Sequence, residues 1–250
     1  CTTCREITQL TPALQLYHLF KQDTARFILR SAFGISSNCR ESDSQIHVGP
    51  SQKGISNERT FTEISKPEKE RELKEFALKV FDWNKTTNLV SKNSTLENIY
   101  HHIIDSAHLY PHIQNNSYID VGSGAGFPGL VISILGNKDG CLLEPANKKA
   151  SFLRHCLAHF GIQNTKVLQK RLEHLDLIKE DVLISRAFAE PKKIQNLAIK
   201  KMSGDQKILL MVSEQQAMRE DKNDWKYIPT AASKILGKKT GFLEFNPPKK

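Results

Sequence analysis

Apolar residues recur at helical spacing ahead of the first strand-like run of the chain. They stand at i, i+3, i+4, i+7 and i+8, namely at Leu73, Phe76, Ala77, Val80 and Phe81. This spacing gathers the apolar side chains on one face of a helix and leaves charged residues on the opposite face. The pattern predicts an amphipathic helix over residues 67–82 that packs against another part of the protein.

A second helix is predicted over residues 95–109. Ser94 and Glu97 stand three residues apart, which is the spacing of a capping box at a helix start. Ile99, Ile103 and Ile104 then follow at helical spacing. The sequence thus predicts two helices before the first strand.

From residue 118 onward, short apolar runs alternate with helical patterns. The predicted strands cover residues 118–121, 141–143, 166–168, 182–185 and 208–212. The predicted helices cover residues 128–135 and 147–160, and a third begins at Pro191. Short strands near Tyr227 and at residues 242–245 are expected to form a terminal antiparallel hairpin. This alternation predicts an α/β fold with a doubly wound, mostly parallel sheet, whose ligands bind beyond the carboxyl ends of the strands.

The link between the first predicted strand and the next helix is rich in glycine. Gly122, Gly124 and Gly126 can adopt backbone angles that a Cβ would forbid, and they let a ligand approach the main chain. Pro128 suits the first helical turn because its nitrogen carries no hydrogen to leave unpaired. The amino end of the helix would then face the ligand, as it does in many nucleotide-binding sites.

Two carboxylates flank this turn in the sequence. Asp120 stands just before the first glycine, where it would repel a pyrophosphate and attract a cationic ligand. Glu144 ends the next strand about twenty residues on, where a ribose-binding carboxylate is expected. Counted from the first glycine after the strand, the spacing is G-x-G-x-G followed by Phe-Pro-Gly and not the G-x-G-x-x-G of dinucleotide sites. This favours S-adenosylmethionine, a cation without phosphate. A nicotinamide-dependent oxidoreductase remains an open alternative.

Length and charge limit the possible classes of protein. The chain has 250 residues, and its 36 Lys and Arg against 27 Asp and Glu give a net charge of +9, which suits a polyanionic partner such as RNA. Its five cysteines are odd in number and scattered, so a reducing compartment is expected and a disulfide framework is not. No apolar run approaches the ~20 residues of a membrane span, so we expect a soluble protein.

The beginning of the chain differs from the rest. Residues 1–57 are predicted to be an extension and linker, because the later part is polar and rich in Ser, Asn and Gly. The earlier part has few acids and several arginines, a composition that an organellar targeting segment or a non-native extension could have. The main domain is predicted to cover residues 58–250, with a helical part at 58–113 and an α/β core at 114–250.

Several blocks of residues follow one another along the chain. They are Trp83-Asn84, Asn88-Leu89-Val90-Ser91, His102, Asp105-Ser106, residues 120–129, Phe152-Leu153, Arg171-Leu172-Glu173 and residues 185–189. In this order they resemble the bacterial small-subunit ribosomal RNA methyltransferase G family, formerly called glucose-inhibited division protein B. The resemblance covers roughly residues 67–212. The glycine block and the Ser185-Arg186-Ala187 block are specific in combination.

The resemblance implies a Rossmann-like, S-adenosylmethionine-dependent methyltransferase fold in which residues 58–113 form a cap beside the cofactor. The cofactor-binding residues are then expected to be Asp120, Gly122, Gly124, Gly126, Phe127, Glu144, Leu172, Glu173 and Arg186. The expected catalytic residues are Asn88, His102, Asp105 and Arg186, although a purely structural His102 is an equal alternative. Arg186 could support the cofactor's carboxylate, meet an RNA phosphate, or pair with Glu173 or Glu190.

The implied reaction is methylation of a guanine N7 in small-subunit (16S) ribosomal RNA. Guanine N7 offers an in-plane lone pair and loses no proton on attack, so positioning would matter more than a strong base. The implied partner is 16S ribosomal RNA or the small subunit, and we expect a monomer in the bacterial cytoplasm. A catalytically degenerate RNA-binding relative is a further alternative, because His101 and Ser213-Glu214 stand where the family has cations.

Two remaining groups of residues are candidates for metal and phosphate binding. His155 and His159 stand one helical turn apart, but no carboxylate pattern completes a metal set, so no metal site is predicted. Six lysines are candidate phosphate contacts, with a solvated surface as the alternative. They are Lys148, Lys149, Lys192, Lys193, Lys200 and Lys201.

Overall fold

The computed structural model of the chain describes residues 67–113, 116–136, 139–186, 190–202, 205–221, 224–229 and 239–247. The predicted extension and linker, residues 1–57, lie outside these ranges. The boundaries proposed from the sequence for the helical part and the α/β core stay predictions.

The described helices lie before and between the strands. They are α1 (Pro67–Asn84), α2 (Leu96–Ala107), α3 (Gly129–Ile134), α4 (Asn147–His159), α5 (Pro191–Ile199) and α6 (Glu214–Ala217). Single turns of 3-10 helix stand at Tyr110–His112 and Leu172–His174. We call α1 and α2 the cap.

Within the described residues, seven strands form one sheet. They are β1 (Tyr118–Val121), β2 (Gly140–Leu143), β3 (Thr165–Leu168), β4 (Val182–Arg186), β5 (Lys207–Ser213), β6 (Lys226–Pro229) and β7 (Thr240–Phe245). Their order is β3-β2-β1-β4-β5-β7-β6. The pairs from β3 to β5 are parallel, whereas β7 is antiparallel to both β5 and β6. The order reverses direction at β1 and β4, which makes the sheet doubly wound and confirms the predicted Rossmann-like α/β fold.

The predicted helices and parallel strands are confirmed, with shifts of one or two residues at their ends. Helix α1 follows from its apolar stripe, because Phe76, Ala77 and Val80 are completely buried. The four residues of β1 are all buried, as expected for a strand covered on both faces of a parallel sheet. Helix α3 begins at Gly129, with Pro128 as its N-cap rather than its first residue.

The predicted cap of α2 was wrong by one residue. The N-cap is Thr95, whose hydroxyl accepts the amide of Asn98 at 3.2 Å. The Asn98 side chain accepts the amide of Thr95 in return at 3.0 Å. A short Asn can close this capping box because Thr95 has extended backbone angles that bring its amide toward the first helical turn.

The carboxyl half of the sheet contains two features that the sequence did not predict. The expected hairpin is present, but β7 lies between β5 and β6, so the last strand in sequence is not at the edge. Ser213 ends β5 and caps the short helix α6 through a capping box with Gln216. Among the described residues, no helix is both long enough and apolar enough to cross a membrane.

Candidate functional site

The glycine turn leaves β1 at the carboxyl edge of the sheet. Gly122, Gly124 and Gly126 have positive φ angles of 76°, 55° and 96°, which residues with a Cβ rarely adopt. The amides of Gly122 and Ser123 donate to the carbonyl of Leu143 at 2.9 and 3.2 Å. These bonds attach the turn to the end of β2, and α3 begins directly behind it.

Glu144 follows β2 and lies beside this turn. The residue is only 5% exposed, and both of its carboxylate oxygens accept backbone N–H bonds. Oε2 accepts from Gly124 at 2.9 Å and Oε1 accepts from Ala146 at 2.8 Å. A carboxylate has about four acceptor positions, so two remain for hydroxyl groups of a ligand. Glu144 therefore braces the turn and keeps acceptor capacity at the edge of the sheet.

Asp120 supports the turn from beneath. The residue is completely buried, and its Oδ2 accepts the N–H of Gly129, the first residue of α3, at 3.0 Å. Its Oδ1 is buried with no hydrogen-bond partner among the described residues. Burial raises the pKa of Asp120 to about 7. This carboxyl group fixes the start of α3, and its predicted contact with the cofactor stays a prediction.

The cap packs on the glycine turn through aromatic rings. Phe127 is 6% exposed, and its ring centroid lies 5.5 Å from Phe76 of α1 and 5.3 Å from His102 of α2. Phe76 also stacks on Phe152 of α4 at 6.4 Å. The cap is thus fixed to the α/β core at the turn, and His102 lies against it.

Arg186 ends β4, and its guanidinium reaches the cap. Nη2 donates to Oδ2 of Asp105 at 3.1 Å, and Nη1 donates to the carbonyl of His102 at 3.5 Å. The other oxygen of Asp105 accepts the hydroxyl of Thr240 at 3.1 Å. Burial lowers the pKa of Arg186, and the neighbouring Asp105 opposes that shift; a guanidinium nevertheless remains charged.

This network corrects one expectation and adds one residue. The partner of Arg186 is Asp105 of the cap, and not Glu173 or Glu190. The reason is topological, because α2 lies over the end of β4 and brings a buried carboxylate to it. Thr240 was missed entirely, since a threonine opening a strand gives no signal of the long-range contact it makes.

Leu172 and Glu173 open the 3-10 turn that follows β3. Leu172 is completely buried in the core, whereas Glu173 is exposed. The ammonium of Lys201 donates to the carbonyl of Glu173 at 3.1 Å, which ties the turn to the residues after α5. The turn lies beyond the carboxyl end of β3, on the same edge of the sheet as the glycine turn, and its contact with a cofactor stays a prediction.

Asn88 lies exposed in the loop between α1 and α2. Asn84, the last residue of α1, organises that loop with its side chain. Its Oδ1 accepts the amides of Leu89 and Val90 at 2.9 and 3.0 Å, and its Nδ2 donates to the carbonyl of Ser91 at 3.0 Å. Sequence reasoning gave Asn84 no role, although an Asn at a helix end often bonds the backbone that follows.

His155 and His159 lie on the outer face of α4. Their rings stack with centroids 6.2 Å apart, and Nε2 of His159 lies 2.5 Å from Oε1 of Glu75 on α1. They therefore join α4 to the cap at the protein surface. No group of three or more His, Cys, Asp or Glu residues in the described ranges could hold a metal ion.

The carboxyl edge of the sheet brings most of the predicted residues together. The glycine turn, Glu144, the 3-10 turn and Arg186 follow β1, β2, β3 and β4 in turn, and the cap adds His102 and Asp105. Four of the candidate lysines stand in the first turns of α4 and α5, which start from this edge, and all are exposed or half-buried. They are Lys148, Lys149, Lys192 and Lys193. Lys200 and Lys201 follow the other end of α5.

Solved structures with a similar arrangement include methyltransferases. A ribosomal protein L11 methylase from Lactobacillus delbrueckii subsp. bulgaricus has a TM-score of 0.48 at 16% identity, over 59% of this chain and 79% of that one. An RNA methyltransferase from Salinibacter ruber, in complex with S-adenosyl-L-homocysteine, has a TM-score of 0.45 at 12% identity, over 59% of this chain and 91% of that one. Likeness at this distance carries no argument about function, and the fold rests on the strand order itself.

Sequence relatives are closer. A ribosomal RNA small subunit methyltransferase G from Pasteurella multocida is 36% identical over 135 residues, which is 53% of this chain and 64% of the relative. Proteins of the same name from Neisseria meningitidis serogroup C and Nitrosomonas europaea are 38% and 36% identical over 110 and 118 residues, or 43% and 46% of this chain. These matches span 53% and 55% of the relatives, so the chain aligns with only about half to two thirds of their length.

A family model covers more of the chain. The model for rRNA small subunit methyltransferase G matches residues 69–241, which is more than half of the 250 residues and includes every described strand from β1 to β6 and the start of β7. The match also spans the cap, the glycine turn and the Arg186–Asp105 pair. The chain therefore belongs to the rRNA small subunit methyltransferase G family.

Proposed function

We propose that this chain transfers a methyl group from S-adenosylmethionine to a guanine N7 of small-subunit (16S) ribosomal RNA. The observation that carries the proposal is the glycine turn braced by Glu144, in a chain of this family. The polar side chain beside the turn is a carboxylate with free acceptor positions, which suits ribose hydroxyl groups and a cationic cofactor.

Eight of the nine expected cofactor-binding residues have a definable task under this proposal, and Arg186 is treated with the acceptor base. Glu144 accepts the ribose hydroxyls, and Gly122 and Gly124 let the ligand lie against the main chain. Phe127, held by the cap, excludes water from the turn. Leu172 and Glu173 border the adenine beyond β3 and β2. Asp120 and Gly126 hold the turn in shape.

The reaction requires precise positioning more than proton transfer. S-adenosylmethionine supplies an electrophilic methyl group when bound. With both substrates bound, the N7 lone pair of guanine would take the methyl carbon as the carbon–sulfur bond breaks, which would leave neutral S-adenosylhomocysteine and a positive charge on the purine. Asn88, His102, Asp105 and Arg186 hold the base in line, which is the main source of catalysis in such a step.

The ribosomal substrate is expected to approach the same edge of the sheet. Lys148, Lys149, Lys192 and Lys193 supply positive charge there, and phosphate contacts of this kind give affinity that falls steeply with salt. The proposed partner is 16S ribosomal RNA or the small subunit, and we expect a monomer that acts in the cytoplasm. Light scattering with and without subunits tests the oligomeric state.

One experiment tests the function directly. The chain is incubated with radiolabelled S-adenosylmethionine and unmethylated small subunits, and the label is mapped by chemical cleavage at 7-methylguanosine. Cleavage at a single guanine is expected. Thermal shifts provide the comparison, since a ligand that binds only the folded state raises its Tm. A shift with NADH but not with S-adenosylhomocysteine would indicate an oxidoreductase, and RNA binding without transfer would indicate a degenerate relative.

A further inference from the structure

A cavity lies beside the Arg186–Asp105 pair, over β4 and β5 rather than β1 and β2. Its volume is about 230 Å³. The polar lining includes Asp105, Arg186, Ser213, Gln216 and Thr240, and Met211 contributes apolar surface. Arg186 of β4 is paired with Met211 of β5, so these two lining residues lie side by side on neighbouring strands. Neither the family match nor the cofactor proposal assigns it a ligand.

The position of this cavity suits the acceptor and not the cofactor. Glu144 marks the ribose end of the cofactor site at β2, and β1 and β4 lie between it and β5. Neighbouring strands are about 4.8 Å apart, so a cofactor with its ribose at β2 and lying across β1 directs its reactive end toward β4. The cavity begins there, and Arg186 belongs to both sites.

The size and chemistry of the cavity suit one base. It is smaller than the range of about 300–1,000 Å³ that drug-sized ligands need. Arg186 presents N–H donors next to the carboxylate acceptor of Asp105. A guanidinium has five N–H donors and a carboxylate has about four acceptor positions, so both retain capacity beyond the bonds that join them to each other, to His102 and to Thr240.

We propose that this cavity holds the guanine to be methylated, with Arg186 donating to O6 and Asp105 accepting from N1–H and the 2-amino group. This inference rests on the proposed function and specifies how the acceptor is chosen. Adenine has a donor where guanine has O6 and an acceptor at N1, so it mismatches both side chains. The base is held by its Watson–Crick edge, as flipped bases commonly are, and N7 remains available to the methyl group.

Two substitutions test the cavity in the full chain. Asp105→Asn replaces one acceptor oxygen by a donor without changing shape. Met211→Trp adds bulk to the lining beside Arg186 and leaves both charges of the Arg186–Asp105 pair in place. Met218→Trp is the matched control, since Met218 is 70% exposed and stands outside the cavity lining. Each variant is assayed for methyl transfer to small subunits and for S-adenosylhomocysteine affinity by calorimetry.

We expect both cavity variants to lose about ten- to a hundredfold in kcat/KM, the discrimination that a well-placed base contact provides. Their dissociation constants for S-adenosylhomocysteine should stay within about twofold of the unsubstituted chain. Transfer at the unsubstituted rate by Met211→Trp overturns the inference. An equal loss of S-adenosylhomocysteine binding by Met211→Trp also overturns it, because the cavity would then belong to the cofactor. No transfer by the unsubstituted chain removes the proposed function itself, and this inference with it.

Base selectivity provides an independent arm. Guanosine and adenosine are added as competitors of methyl transfer to small subunits. Guanosine should inhibit the unsubstituted chain more strongly than adenosine, and Asp105→Asn should remove that preference. Equal inhibition of the unsubstituted chain by the two nucleosides would show that Arg186 and Asp105 do not select the guanine edge.

Discussion

Removing the Glu144 carboxylate distinguishes its support of the glycine turn from its proposed binding of the cofactor. In Glu144→Ala, the amides of Gly124 and Ala146 both lose an acceptor. Ala146 is exposed, so water replaces that bond, whereas Gly124 is half-buried. One charge-assisted bond contributes about 1.5–3 kcal/mol. At about 2–4 °C per kcal/mol for a domain of this size, the Tm should fall by roughly 3–12 °C.

The effect on the cofactor is separate and is measured by calorimetry. A carboxylate that accepts ribose hydroxyls contributes a similar 1.5–3 kcal/mol, so the dissociation constant for S-adenosylhomocysteine should rise about ten- to hundredfold. Glu144→Gln keeps one acceptor oxygen, so its dissociation constant should lie between those of the unsubstituted chain and Glu144→Ala. Glu68→Ala, at an exposed position of α1, is the control for the loss of a negative charge. A lower Tm with an unchanged dissociation constant would show that Glu144 only braces the turn, and the cofactor assignment would fail.

Three further substitutions test the scaffold around the site. In Gly129→Ala, the new Cβ would lie 2.5 Å from Oδ2 of Asp120. The free energy of unfolding should therefore fall by about 1–3 kcal/mol, and S-adenosylhomocysteine should bind more weakly in a calorimetric titration. Gly161→Ala, where the new Cβ meets open space, should leave this binding unchanged. Burial raises the pKa of Asp120 to about 7, against about 3.9 in the unfolded chain. The protonated carboxyl group therefore stabilises the folded state fully below about pH 4, and this stabilisation is lost as the pH rises to 7. Asp120→Asn should therefore gain stability relative to the unsubstituted chain over that interval, and a difference in unfolding free energy that is constant with pH would refute this. Asn84→Ala removes side-chain bonds that order the loop after α1. The amide of Val90 should therefore exchange hydrogen at least about tenfold faster, while an unchanged rate would show that other contacts order the loop.

The fold was largely predictable because its elements are encoded locally. The apolar stripe of α1 and the buried run of β1 each lie within a few residues of sequence, and the alternation of strands and helices fixes a parallel sheet. The position of β7 was not predictable in this way. A hairpin has the same local pattern whether its first or its second strand pairs with β5, and the choice depends on packing between strands that are far apart in sequence.

The site was predictable only where a short segment of sequence contains both the turn that forms the site and the side chain that acts in it. The glycine turn and Glu144 fall at strand ends, and the topology of a doubly wound sheet brings such ends together. The partner of Arg186 was misjudged because Asp105 is 81 residues away in sequence. Nearby acids such as Glu190 were plausible partners by distance along the chain alone. Burial decides the pairing, since Asp105 is 5% exposed and an unpaired charge there would be costly.

The position of β7 also explains how the cavity beside Arg186 and Asp105 is closed. Thr240 opens β7 opposite Ser213 at the end of β5, and its hydroxyl reaches Asp105 across 135 residues of sequence. Had β6 paired with β5 instead, Lys226 or Pro229 would stand at the end of the strand next to β5, and neither offers a hydroxyl to a carboxylate. The cap, β4 and β7 therefore meet at Asp105, whose carboxylate accepts from Arg186 on one oxygen and from Thr240 on the other. A Thr240→Val substitution should accordingly lower methyl transfer more than it lowers S-adenosylhomocysteine affinity. An equal loss of both would show that the Thr240–Asp105 bond supports the cofactor site as much as the cavity.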